Sequence, residues 1–139
     1  MVWKTAPDLD RINAIMDQTI GTSLGINFTA FTDHSLTATM PVDARTRQPY
    51  GILHGGASVV LAESLGSIGS NLILGEGEYM GVGLEVNANH LRPVADGYVT
   101  GICTALHIGT KTHVWDIKIY EKKGKLNCIC RLTIAIVPK

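Results

Sequence analysis

The stretch between Gly55 and Gly75 constrains this chain more than any other. It is rich in Ala, Val, Leu, Ile, Ser and Gly, and a single side chain, Glu63, can ionise. The run is too long for one ordinary strand and rich in good helix formers, so it predicts a helix from Gly55 to Leu74. A helix that is apolar almost all round must be covered, and the rest of the chain is therefore expected to wrap it. Gly66 and Gly69 weaken the helix locally but permit close backbone approach.

On both sides of this run the apolar period changes to two. Leu36, Ala38, Met40 and Val42 alternate with Ser35, Thr37, Thr39 and Pro41, after a turn at Thr32-Asp33-His34. Beyond Gly75-Glu76-Gly77, the residues Val82, Leu84, Val86, Ala88 and His90 are expected to share one face of a long strand that Arg92-Pro93 ends. Three further strands fit 97–107, 111–121 and 126–137. An opening helix is predicted with Thr5 as cap, Pro7 in its first turn, a stripe of Leu9, Ile12, Met16 and Ile20, and an end at Gly21 and Gly25. Helix, two strands, buried helix and four strands make an α+β domain: a mainly antiparallel sheet wrapped on one helix. No linker or repeat divides residues 1–139, which read as a single domain.

Composition removes several classes of function. Twelve Lys+Arg balance twelve Asp+Glu, which argues against a nucleic-acid partner or an anionic membrane surface. Met1-Val2-Trp3-Lys4 lacks the layout of a secretory leader, no membrane span is expected, and three cysteines (Cys103, Cys128, Cys130) give no disulfide framework. A cytoplasmic location is the expectation. Charged residues make up 17% of the chain, against roughly 25% in average soluble chains, where so small a monomer would need more. Coverage by copies of itself explains the shortfall, so a homo-oligomer is expected.

A carboxylate inside the apolar run loses hydration, and no neighbour in the run is cationic. In a random helix a lone Glu reaches a solvent gap or a distant Arg; among uncharged positions, a carboxylate facing a cleft is the better reading. Ser67 lies one turn on, on the same face. Just upstream runs Gln48-Pro49-Tyr50-Gly51-Ile52-Leu53-His54-Gly55-Gly56, whose glycines leave backbone N–H groups at a helix start, where an oxyanion could sit. Singly, the Gly-Gly pair, His54 and Gln48 are weak signals; their clustering upstream of Glu63 is what counts. Gly55 and Glu63 are eight residues apart, roughly 12 Å along a helix axis, too far to serve one carbonyl. Two antiparallel copies of the helix would bring Glu63 of one chain opposite Gly55 and His54 of the other.

The order Gln48…His54-Gly55-Gly56…Glu63…Ser67 resembles that of the hotdog-fold acyl-CoA thioesterases, in the branch acting on aromatic acyl-CoA. The likeness runs from Met1-Val2-Trp3-Lys4 through Ala38–Asp43 and Leu84–His90 to Arg131-Leu132-Thr133. The resemblance implies a hotdog fold, a long curved antiparallel sheet around a central helix, with dimers pairing into tetramers and a site shared between subunits. It implies hydrolysis of an acyl-CoA such as 1,4-dihydroxy-2-naphthoyl-CoA, a menaquinone precursor, or a benzoyl-type CoA. Glu63 would attack the thioester or activate water, the Gly55 N–H would polarise the carbonyl, His54 and Gln48 would orient the site, and Ser67 would assist. No metal or other cofactor is required. Coenzyme A would meet His90, Leu91 and Arg92 at a strand end and His107, Gly109, Thr110 and Lys111 in a turn, with Gly83 leaving room near the acyl wall and His90 pointing inward.

Four other readings compete. One is clearance of aryl groups misloaded on a carrier protein. A non-catalytic acyl-CoA-binding module would share the fold, since fold does not dictate reaction. A hydratase would use His54 as acid or base. A metal enzyme would draw on His54, His90, His107, His113 or Cys128 and Cys130, but the cysteines alternate on a strand as small core residues, and no His pair has compact helical spacing.

Overall fold

The computed structural model describes residues 1–139. Its elements are α1 (Leu9–Ile15), α2 (Ile20–Ser23), β1 (Asn27–Phe31), β2 (Ser35–Pro41), α3 (Gly55–Leu74), β3 (Tyr79–His90), β4 (Tyr98–Ile108), β5 (Thr112–Glu121) and β6 (Leu126–Pro138). The six strands form one antiparallel sheet in the order β1-β2-β4-β5-β6-β3. Because β2 lies near one edge and β3 forms the other, the connection between them must cross the whole sheet. That connection is α3, and it touches β2, β3, β4, β5 and β6 on the way. This is the hotdog fold.

The expected bounds of α3 hold. By length and hydropathy alone this helix could cross a bilayer, but it lies instead against the sheet. Its face of Leu61, Ala62, Leu65, Gly66, Gly69 and Ser70 is buried. Trp115 of β5, 0% exposed, fills the space that the two glycines leave: a Cβ on Gly69 would stand 3.0 Å from its ring, and one on Gly66 would collide with Leu132. The same indole stacks on Trp3 at 6.2 Å between ring centroids, and Trp3 Nε1 donates to the Thr32 carbonyl at 2.6 Å, which ties the chain start to the core. Leu36, Ala38, Met40 and Val42 are all buried, as their alternation predicts.

Two expectations need correction. The opening helix is capped by Asp8, whose carboxylate accepts from the Arg11 N–H, and not by Thr5. It also stops at Ile15: Gln18 takes a positive φ of 56°, Thr19 caps the separate four-residue α2, and Ile20 is left 59% exposed rather than in the stripe. The second concerns β3. Its pairing with β6 runs Gly83↔Ile134 and then Glu85↔Thr133, so Leu84 is an extra, bulged residue. A bulge reverses which parity faces inward. Gly81 and Gly83 therefore face α3 before it and Val86 and Ala88 pack on the core after it, while Val82 and Leu84 are exposed.

Candidate active site

The start of α3 is a helix terminus with most of its donors already used. His54 occupies the cap in extended backbone, and its Nδ1 accepts from the Gly56 N–H at 2.8 Å. An accepting ring nitrogen carries no proton, so the imidazole N–H is at Nε2. The Ala57 and Ser58 amides both reach the His54 carbonyl. Of the two glycine donors anticipated from sequence, only the Gly55 N–H lacks an acceptor in the chain. An unpaired amide at a helix start favours an anionic oxygen. The His90 imidazole lies against the Cα of Gly55, where a Cβ would stand 2.8 Å from its Nε2. His90 thus lies against the helix terminus while remaining exposed, at the mouth of the site rather than inside it.

The loop before the helix is held by its own backbone. Gln48 N–H donates to the Ile52 carbonyl and Gly51 N–H to the Gln48 carbonyl, each at 2.9 Å, across a glycine with φ of 81°. The Gln48 side-chain oxygen accepts from the Tyr50 amide, which leaves its NH2 group free to donate.

Glu63 sits two turns along α3, half-buried and in no ion pair. Its carboxylate rests over Gly83 of β3, where any Cβ would collide with Oε1. Gly83 therefore makes room for the acid itself. Ser67, four residues on, is also half-buried. Asn71, one turn further, clamps the strand: its amide donates to the Gly81 carbonyl at 3.1 Å and its oxygen accepts the Gly81 N–H at 2.9 Å. Within one chain, then, Gly55 meets His90 and Glu63 meets Gly83, as two separate places.

The strand end after β3 is fastened by Asn127, whose side-chain NH2 donates to the Arg92 carbonyl at 2.6 Å and whose backbone carbonyl accepts the Leu91 N–H at 2.8 Å. Arg92 Nε donates to the Leu126 carbonyl at 2.7 Å, and Leu91 is 51% exposed. In the turn between β4 and β5, Gly109 N–H donates to the Thr112 carbonyl, the His107 ring covers the Gly109 Cα, and Thr110 and Lys111 are exposed. Cys103, Cys128 and Cys130 are buried in the sheet, and burial pushes the Cys103 thiol well up. No three His, Cys, Asp or Glu side chains converge anywhere in the chain.

Sequence reasoning missed two features. A cavity of about 500 Å³ opens between the first helix and α3, walled by Ile12, Ile15, Ile68 and Leu72 with Lys4 and Arg11 at its rim. Its walls come from segments some fifty residues apart, and only the pairing of the two helices brings them together. The other is the buried group Ser70, His113 and Trp115, linked by hydrogen bonds of 3.0 and 2.9 Å, in which Ser70 lies more than forty residues from the other two.

Comparison with known proteins gives a consistent result. The family model described as the thioesterase superfamily matches residues 50–128. A 1,4-dihydroxy-2-naphthoyl-CoA hydrolase of Escherichia coli is 50% identical over 137 residues, covering 99% of this chain and 100% of its own. A crystal structure of a thioesterase from Pseudomonas aeruginosa, a glutamine-to-alanine mutant, superposes with a TM-score of 0.98 at 56% identity over all of both chains. That of a thioesterase from Haemophilus influenzae gives 0.95 at 44% identity, covering 99% of this chain and 96% of the other.

Proposed function

This chain belongs to the thioesterase superfamily and is a thioester hydrolase, and we propose that it cleaves an aromatic acyl-CoA, with Glu63 delivering the attacking oxygen. The observation that carries the proposal is Glu63 itself: the only ionisable group in α3, held over Gly83 with no cation to neutralise it. Glu63 attacks the carbonyl carbon directly, giving an anhydride that water then hydrolyses, or takes a proton from a water that attacks in its place. As the carbonyl oxygen gains charge, the unpaired Gly55 N–H donates to it; the C–S bond then breaks and the sulfur leaves as the thiol, protonated by the water-derived proton. His54 and the free NH2 of Gln48 orient the carbonyl, and Ser67 holds the water. The acyl class is supported by the hydrolase relative.

One chain separates its acid from its donor by roughly 12 Å of helix, so the reading includes a second copy that brings Glu63 opposite the partner's helix start. Three features support such a homo-oligomer. β3 is an unpaired edge that exposes Tyr79, Met80, Val82 and Leu84. The outward side of α3, with Val59, Val60 and Ile68, is only half-covered. The surface is also poor in charge.

The test is a thiol-release panel of dihydroxynaphthoyl-CoA, benzoyl-CoA, straight-chain acyl-CoA and aryl groups on a carrier protein. The aromatic CoA substrates should give the highest kcat/KM, and Glu63→Gln should abolish turnover while leaving fold and binding intact. Preference for the carrier-protein substrate would replace this reading with the proofreading one, and binding without thiol release would leave only a binding module.

A further inference from the structure

The buried group at the far end of α3 does not belong to the acyl chemistry. Ser70 is 0% exposed and His113 1% exposed, and both are polar groups that need partners in so dry a place. Ser70 Oγ accepts from Trp115 Nε1 at 2.9 Å and is hydrogen-bonded to His113 Nδ1 at 3.0 Å, where the tautomer of the imidazole sets which group donates. Burial, and after it the charge of His107, push His113 below the ordinary imidazole range, with the Gly109 backbone opposing them.

Gly109 is thus held on two sides. Its N–H is bound by the carbonyl of Thr112, the residue just before His113, and its Cα is covered by His107. A glycine in a hairpin turn is otherwise free to move, because nothing in its own side chain restrains it. Here the restraint reaches through His113 to Ser70, on the helix that carries Glu63 seven residues earlier.

We propose that His113 is a positioning residue that locks the His107–Lys111 turn to α3, so that the turn meets the nucleotide end of the coenzyme already ordered. The inference rests on the reading of that turn as coenzyme-binding. It assigns to the Ser70–His113 pair an effect on coenzyme affinity and none on bond cleavage, because preordering a binding loop lowers the cost of association only.

The experiment compares benzoyl-CoA with S-benzoyl-N-acetylcysteamine, which carries the same thioester but lacks the nucleotide. His113→Phe should raise KM for benzoyl-CoA by about five- to tenfold, the worth of a hydrogen bond, with kcat unchanged and no effect on the truncated substrate. His113→Gln, whose amide can still bond to Ser70, should recover most of the loss. If thermal unfolding shows that His113→Phe does not fold, Ser70→Ala cuts the same link and takes its place. Equal effects on both substrates, or none on either, would overturn the proposal. Lys111→Ala is the separate check on the turn: a raised KM for benzoyl-CoA supports the reading, and an unchanged KM removes the reading and the proposal together.

Discussion

The two faces of α3 obey opposite rules. Against the sheet, the buried Ser70 is bonded to both Trp115 and His113, and Gly66 and Gly69 let an indole and Leu132 approach the backbone. Along the outer strand and the open side, Glu63 has no counter-charge and the Gly55 N–H has no acceptor. Burial explains the first face, since an unpaired polar group there costs about 1–3 kcal/mol. The second face stays unpaired because it is still half-open, and unpaired groups at a helix start and beside a groove are what a reacting carbonyl can use. The contrast separates what holds the molecule together from what it does.

The contrast can be broken in four ways. Glu63→Gln keeps the shape of the open face but removes its base, and kcat should fall by about 10²–10⁴-fold or more, with thermal stability unchanged. Trp115→Ala attacks the paired face: denaturant unfolding should show a loss of about 3–5 kcal/mol, with Ser70 left short of a donor. Gly55→Pro removes the one free N–H at a position where proline suits a helix, and the extended His54 before it is compatible with that ring. Because a Cβ there meets His90, the comparison is made in a His90→Ala background with Gly55→Ala as control, and the proline should cost about 2.7–4 kcal/mol of activation barrier.

The smallest effect is on pH. Burial lowers the pKa of His113 in the folded chain, so the unfolded chain binds the proton first as pH falls below about 6.5. Stability should therefore decline from pH 6.5 downward until the folded ring also protonates, and this slope should vanish in His113→Gln. A slope that survives the substitution would assign it to another group.

Much of this was readable in the sequence where one strong pattern acts alone. A twenty-residue apolar run with one acid between glycines gave the limits of α3, and strict alternation gave β2. The pattern failed where a single residue changes the phase. Leu84 continues the apolar alternation of Val82 and Val86, yet the bulge at that position turns it outward, and no local residue announces it. At the opening helix Thr5 and Asp8 are both competent cap residue types, and it is Asp8 that caps. The clustering of Gln48, His54, Gly55 and Glu63 was legible because the four are within sixteen positions. The claim of His54 on the Gly56 amide was not, nor was Ser70–His113–Trp115, which exists only once β5 lies under α3.

The eight-residue offset between donor and acid has an arithmetic of its own. Under the shared-site proposal, each pair of chains holds two reaction centres, and each centre takes its acid from one chain and its amide from the other. Chains lacking the acid and chains lacking the amide are each inert alone. Mixed and allowed to re-pair, half the pairs become hybrids, and in every hybrid one centre inherits both intact parts while the other inherits both defects. Two dead preparations should then yield about a quarter of the native rate on mixing, a recovery that a centre built within one chain could never show.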